Sequence, residues 1–391
     1  MISVKPKVKE KQDYLFEYVD RLGKLSFSEF PFNVVDAMIF SILSYYRFDF
    51  MSKAFLSNLT IRKAAEIYFK DDNLLSLSSN KYRNPFLVKL MYADRYKDLE
   101  LFNFVRDYDP KEDKQFEAIC IKLSKKTCFI SFSGTDSTLA GIKEDLDMSY
   151  NAEIPSQEKS EEYILNKNLS KFEKIYLGGH SKGGSLAVYS AFAAPHTFKT
   201  KISKVFNFDG PGFINYDKDK KDNASLVDKI ITIVPEMSLI GMIMNDMGNT
   251  LIIESDSYLI HQHNVFCWKI NEYNRFIPVS YVSKSSNIFN RTINEYMKEV
   301  NIEDREKIVN SLWEIVKASD VTSIQELKDN IAISTLKVGQ KLMSLTKEEK
   351  KYMKSNVHGI LKILIAQLKF VQENKEGLST FNWDDLYNLD I

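Results

Sequence analysis

The chain has 391 residues, of which 44% are hydrophobic and 13% aromatic, so it can build a substantial core and global disorder is excluded. Its 53 Lys and Arg residues balance 53 Asp and Glu residues. This balance argues against a nucleic-acid-binding protein, which usually carries a surplus of basic residues.

The N-terminal residues include several lysines, but no apolar run follows them, so we expect neither a signal peptide nor a membrane anchor. The best candidate for a membrane span, residues 357–371, is interrupted by two lysines and a glutamine. Three cysteines in so long a chain do not make a disulfide framework. These features predict a cytoplasmic protein without a transmembrane segment, and they leave peripheral membrane contact open.

The hydrophobic pattern changes twice along the chain and predicts three regions. Residues 1–110 are expected to form an N-terminal, mainly helical segment that packs on the core. In residues 111–285 a predicted hairpin is followed by alternating strands and helices, which is typical of a mostly parallel sheet with helices on both faces. We therefore predict an α/β-hydrolase-like catalytic core here. Residues 286–391 are predicted to be a C-terminal helical region, with apolar helical faces near residues 308–316 and 360–371.

The sequence Gly179-His180-Ser181-Lys182-Gly183 matches the G-x-S-x-G motif. A strand-like segment precedes it and a helix of small residues follows, which is the context of a nucleophile elbow. The elbow projects the serine Oγ above the sheet at the positive end of a helix, so Ser181 is the predicted nucleophile. A phosphate-binding loop is the alternative, but Lys182 lies between the glycines and no Gly-Lys-Ser/Thr sequence follows.

These motifs resemble a known family. The segments FSGTDSTLAGIKEDLDMS, LGGHSKGGSLAVYSA and FNFDGPGF look like those of the bacterial lipase-like, Mbeg-type proteins, a domain of unknown function that is distantly similar to class 3 lipases. The likeness extends over residues 13–270 and does not reach the C-terminal region. It implies an α/β-hydrolase fold and a small-molecule or lipid-like ester as the substrate.

A serine hydroxyl is a poor nucleophile unless a positioned base removes its proton. Three of the five histidines, namely His180, His196 and His358, are badly placed to act as that base. His261 and His263 remain, in a loop after a late strand, where the chain order Ser, acid, His places the base. The run HQHNVFCW resembles the QHD-F-W segment of the family, which implies that His263 is the base. Ordinary loop histidines or a two-histidine metal site are the alternatives, although we expect no metal and no cofactor.

The acid has two main candidates. Asp209 follows an apolar strand-like run directly after the nucleophile strand, so its carboxylate would face the catalytic edge. In class 3 lipases the acid instead precedes a Val-Pro pair, where this chain has Thr232, and Glu236 follows the proline. We favour Asp209, keep Glu236 as the possible alternative acid, and count Asp246 and Asp256 as outside candidates. A carboxylate that only caps the following turn is the structural alternative for Asp209.

Acyl transfer also needs hydrogen-bond donors for the developing oxyanion. The backbone N–H of Lys182, the residue after the nucleophile, should supply one. The segment FSGT is similar to the oxyanion strand and loop of lipases, which implies that Thr135 offers its N–H and hydroxyl. Glu144 or Asp145 could then fix this hydroxyl. A plain strand end with Thr135 or Asp136 as a helix N-cap is the alternative.

The leading functional hypothesis is hydrolysis of a carboxylic ester by a lipase- or esterase-like serine hydrolase through an acyl-enzyme. The first alternative is a catalytically silent hydrolase fold that acts as a binding or scaffold protein. The second is a thioesterase or acyltransferase with the same triad. Residues 237–244 could line an acyl pocket or form a lid, but a core helix is the favoured interpretation. Protein partners are not predicted.

Overall fold

The computed structural model describes residues 13–53, 56–72, 74, 81–136, 138–214, 219, 221–244, 249–317 and 383–391, with isolated positions between 337 and 351. Its centre is an eight-stranded sheet in which the strands lie side by side in chain order. The strands are β1 (Asn58–Thr60), β2 (Glu100–Asp109), β3 (Lys114–Lys122), β4 (Thr127–Phe132), β5 (Lys174–His180), β6 (Ile202–Phe208), β7 (Ile230–Pro235) and β8 (Thr250–Ile253).

The pairing of the strands changes from antiparallel to parallel at β4. Strands β1 to β4 pair antiparallel, and strands β4 to β8 pair parallel. The predicted hairpin is confirmed as β3 and β4, with Ala118 opposite Phe132. Strands β1 and β2 lie in the part of the chain that the hydrophobic pattern predicts to be mainly helical, and no strand is predicted there.

Helices cover both faces of the sheet. They are α1 (Tyr14–Leu22), α2 (Val34–Leu43), α3 (Ile61–Tyr68), α4 (Arg83–Tyr92), α5 (Leu139–Asp147), α6 (Pro155–Ile164), α7 (Lys182–Ala193), α8 (His196–Lys199), α9 (Ala224–Val227), α10 (Lys284–Glu299) and α11 (Ile302–Lys317). Short 3-10 helices occupy Asp49–Ser52, Lys167–Leu169, Leu259–His263, Val265–Cys267 and Trp383–Tyr387.

The sheet separates the two large hydrophobic clusters of the core. Successive strand residues alternate between them, so Tyr176 packs with α1 to α4 and Leu177 packs with α6 and α7. This alternation follows from the pleat of a strand, and it requires that both faces be covered. The predicted α/β fold with a mostly parallel sheet and helices on both faces is therefore confirmed.

A buried ion pair fixes the N-terminal helices to this core. Asn33 caps α2 by accepting the N–H of Val35. Asp36, in the first turn of α2, accepts hydrogen bonds from Arg95 at 2.6 Å and from the hydroxyl of Tyr96 at 2.6 Å. Both members of the Asp36–Arg95 pair have fully buried side chains. This network sets the position of α2 and of the loop behind it, beside the end of β5.

The final residues of the chain return to the same side of the sheet. Leu386 and Leu389 are buried in the cluster formed by α1 to α4, and the Leu389 N–H donates to the Phe32 carbonyl at 2.8 Å. The prediction of helices in the C-terminal region is confirmed for α10 and α11. The apolar helical face predicted at 360–371 and the candidate membrane span at 357–371 lie outside the described residues. None of the helices in the described ranges combines the length and apolar character of a membrane span. The three region boundaries stay a prediction.

Candidate active site

The turn between β5 and α7 holds Ser181 in a strained backbone conformation. Its φ of 59° and ψ of −134° lie in a region that residues other than glycine rarely adopt. The Ser181 N–H donates to the Phe208 carbonyl at 2.9 Å, which anchors the turn to the neighbouring strand. At Gly183 a Cβ atom would lie only 2.2 Å from the Phe132 carbonyl oxygen, so glycine is required where helix meets sheet. The strand–turn–helix geometry predicted for the motif is present.

Lys182 is tied into the protein by its side chain. Its ammonium group is buried, contacts Glu144 at 2.6 Å and donates to the Gln115 carbonyl at 2.8 Å. Glu144 also accepts the Ser156 hydroxyl at 2.8 Å. Because Lys182 is the first residue of α7, its own N–H has no acceptor within the helix. That amide therefore lies at the positive end of α7, next to Ser181.

Asp209 and His263 form a direct hydrogen bond. The His263 Nδ1 atom lies 2.7 Å from the Asp209 carboxylate, which is 1% exposed. The other carboxylate oxygen accepts the Ser238 hydroxyl at 2.5 Å and the Gly241 N–H at 3.1 Å. Asp209 has a φ of 54°, and its N–H donates to Ile233 at 2.9 Å. The carboxylate is thus held by several groups and directed at the imidazole.

The other acid candidates lie in different surroundings. Glu236 follows β7, and within the described part of the chain it makes no hydrogen bond or ion pair with His263. Asp256 accepts the Tyr14 hydroxyl at 2.6 Å and pairs with Lys269 at 3.2 Å. Asp246 lies outside the described residues. Of the described candidates, Asp209 is the one placed to hold the imidazole.

His180 bonds through both ring nitrogens. Its Nε2 lies 2.7 Å from the His263 carbonyl oxygen, which can only accept, so Nε2 carries the proton and donates. Its Nδ1 then accepts the Tyr45 hydroxyl at 2.8 Å. Burial, the largest influence, and the nearby His263 ring lower the pKa of His180 well below its usual value, so the ring stays neutral. His180 therefore positions the backbone of His263. The sequence does not predict this role, because Tyr45 and His263 are both far from His180 in the chain.

Thr135 is fixed by a carboxylate on α5. Its hydroxyl lies 2.7 and 2.6 Å from the two oxygens of Asp145, one of the two partners proposed from the sequence. Burial raises the pKa of Asp145 to about 6, although the nearby Lys182 charge and the Thr135 hydrogen bond act in the opposite direction. The N-cap of α5 is Thr138, whose side chain accepts the Gly141 N–H. The alternative of an N-cap role for Thr135 or Asp136 is therefore wrong.

A cavity of about 670 Å³ lies beside Ser181. Three of its lining residues are predicted site residues: Thr135, Ser181 and His263. His261 also lines it and is exposed. The N-terminal part of the chain supplies a further wall made of Ile42, Tyr45, Lys81, Tyr82 and Arg83. The sequence does not predict this wall, because nothing local in those residues indicates proximity to the serine.

The segment of residues 237–244 is a series of turns, so the favoured interpretation as a core helix is wrong. It does not line the cavity beside Ser181. Instead it supplies Ser238 and Gly241 to Asp209, and Asn290 on α10 donates to the Ser238 carbonyl at 2.8 Å. Among the residues that the structure describes, no cluster of His, Cys, Asp or Glu could hold a metal ion.

Fold and site together define an α/β protein with a serine elbow and an adjoining His–Asp pair. The chain belongs to the Mbeg1-like family, whose model matches residues 90–314, and the predicted family is thereby confirmed. Among solved structures, M37 lipase is similar at 16% identity over 53% of this chain and 67% of that chain, with a TM-score of 0.31. No curated protein matches the chain.

Proposed function

We propose that this protein is a serine hydrolase that cleaves a carboxylic ester through an acyl-enzyme. The observation that carries the proposal is the 2.7 Å hydrogen bond from His263 to the buried Asp209, on a cavity that Ser181 also lines. An aspartate in this relation holds the imidazole in one tautomer and stabilises the imidazolium. A cytoplasmic location remains part of the proposal, because none of the three buried cysteines forms a disulfide and a reducing compartment suits such thiols.

The proposed reaction uses each group at a defined atom. His263 Nε2 takes the proton of the Ser181 hydroxyl while Oγ attacks the ester carbon and the carbonyl oxygen becomes an oxyanion. The backbone N–H groups of Lys182 and Thr135 are the proposed donors to that oxyanion. His263 then gives its proton to the departing alcohol, which leaves an acyl-serine. Water, deprotonated by His263, attacks the acyl carbon, the bond from that carbon to Ser181 Oγ breaks, and His263 returns the proton to Oγ as the acid is released.

The decisive experiment is labelling with a fluorophosphonate probe, which reacts with activated serines. We expect wild-type protein to be labelled and Ser181→Ala to be unlabelled. Ser185→Ala is the matched control, because Ser185 lies one turn along α7 and donates to the Pro211 carbonyl. Equal labelling of wild type and Ser181→Ala would overturn the assignment of the nucleophile.

Substrate class is then resolved by kinetics. A chain-length series of p-nitrophenyl esters measures the acyl preference. A matched thioester and an added acceptor alcohol test for a thioesterase or an acyltransferase with the same triad. A folded wild-type protein that takes up no probe and turns over none of these compounds would instead favour a binding or scaffold role.

A further inference from the structure

Arg83 lines the proposed catalytic cavity from the first position of α4. Its guanidinium carbon lies 3.9 Å from the centroid of the Tyr45 ring, a cation–π contact. The Tyr45 hydroxyl bonds to His180, the residue before Ser181. The guanidinium is therefore held on the same wall as the elbow, separated from it by one aromatic ring.

Several other arginines have a carboxylate partner, whereas the described residues provide none for the Arg83 guanidinium. On the N-terminal side Arg47 pairs with Asp49 and Glu117, Arg95 with Asp36, and Arg106 with Glu117. Arg83 has no such ion pair within the described ranges, although it is partly buried. Lys81 lines the same wall, and none of the described residues that line the cavity is Asp or Glu. The described lining thus presents two cations and no carboxylate.

A guanidinium has five N–H donors in a rigid fork that matches a carboxylate or a phosphate group. The attraction between a guanidinium and an anion is stronger where both are partly removed from water. We propose, building on the hydrolase function above, that the substrate is an anionic ester whose carboxylate or phosphate group is bound by Arg83 with help from Lys81. Arg83 is then a specificity-determining residue, and a neutral ester is a poorer substrate.

Two matched ester pairs test the proposal and distinguish the two anions. The first pair is p-nitrophenyl butyrate and p-nitrophenyl hemisuccinate, which places a carboxylate on the acyl side. The second is 1-butyrylglycerol and 1-butyrylglycerol 3-phosphate, which places a phosphate on the alcohol side. The readout is the ratio of kcat/KM for the charged ester to kcat/KM for its neutral partner, after subtraction of uncatalysed hydrolysis.

We expect Arg83→Gln to lower this ratio about 10–100-fold for at least one pair. This factor corresponds to the free energy of a typical charge-assisted hydrogen bond. Arg83→Lys, which keeps the charge but loses the fork, should give an intermediate ratio. Because both esters are measured on the same protein, any loss of folded material cancels. Lys89→Gln is the control, since it removes a charge from the same helix at a residue paired with Asp20. An unchanged ratio in Arg83→Gln for both pairs would overturn the proposal.

Binding separates failure of this proposal from failure of the hydrolase function. Succinate and glycerol 3-phosphate are titrated into Ser181→Ala by calorimetry, and again into the double variant with Arg83→Gln. Binding that weakens about 10–100-fold in the double variant supports anion recognition even if no ester is turned over. A different outcome is ester turnover that depends on Ser181 while the two proteins bind the anions equally or not at all. This result would overturn the proposal that Arg83 binds an anion, and the proposed hydrolase function would stand.

Discussion

His180 and His263 have ring centroids 4.4 Å apart, yet their surroundings give them different chemistry. His180 is buried and bonded at both nitrogens, so it has no free atom with which to accept a proton. His263 bonds to Asp209 through Nδ1 and is 23% exposed, which leaves Nε2 for the cavity. The structure thus separates a positioning imidazole from a proposed catalytic one within two adjacent rings.

The first prediction concerns the choice between the two loop histidines. His263→Ala should lower kcat for p-nitrophenyl butyrate by about 10⁶-fold, the usual cost of losing a triad base. His261→Ala should retain most of the activity, because the exposed His261 makes no hydrogen bond or ion pair with Asp209 in the described part of the chain. Both variants are assayed at equal concentrations of folded protein. A severe loss in His261→Ala with an active His263→Ala would reassign the base.

The second prediction concerns the acid. Asp209→Asn keeps the shape of the side chain but favours the wrong His263 tautomer, so kcat should fall by about 10⁴-fold. Glu236→Gln is the matched control and should stay within about threefold of wild type, since Glu236 does not bond to the imidazole. Near-wild-type turnover in Asp209→Asn would contradict the assignment and direct attention to Glu236.

The elements that carry the site differ in how far the sequence predicts them. The elbow is predictable because strand, motif and small-residue helix are contiguous. The β3–β4 hairpin is predictable because three polar residues separate two apolar runs. Strand β2 is harder, because its register with β3 shifts between Phe102 and Val105 and Asn103 adopts a φ of 55°. Such a bulge interrupts the alternation of apolar and polar residues by which strands are recognised.

The site shows the same division between local and distant contacts. Asp209 is predicted from the residues next to it, and His263 from its neighbours and a family likeness. Their supports are not predicted, because Tyr45 is separated from His180 by 135 positions and Ser238 from Asp209 by 29. Hydrogen bonds between elements so far apart in the chain leave no periodicity or motif in a single sequence. The fold must be known before they can be found.

The third prediction tests how α2 is fixed to the core. Arg95→Met leaves the Asp36 charge buried without its ionic partner, so the free energy of unfolding should fall by about 3–5 kcal/mol. Lys97→Met removes a more exposed pair with Asp94 and should cost about 0–1 kcal/mol. Chemical denaturation gives both values. Equal, small losses would mean that the buried pair does not hold the helix.

At the scale of the whole molecule, the cavity is built from distant parts of the chain. The family model matches residues 90–314, which include Ser181 and the His263–Asp209 pair. The wall that carries Tyr45 and Arg83 lies before this range. The proposed chemistry and the proposed substrate recognition therefore come from different stretches of sequence, joined by the packing of the N-terminal helices onto the sheet.

The fourth prediction tests whether the last residues of the chain complete the core on that same side. Leu386 is fully buried beneath α1 to α4, so Leu386→Ala should lower the free energy of unfolding by about 2–5 kcal/mol through the cavity it leaves. Leu165→Ala, at a side chain that is 53% exposed, is the matched control and should cost less than about 1 kcal/mol. Denaturant unfolding measures both. Because Leu386 does not line the cavity beside Ser181, ester turnover per folded molecule should be unchanged. A Leu386→Ala protein as stable as Leu165→Ala would mean that residues 383–391 do not contribute to the core.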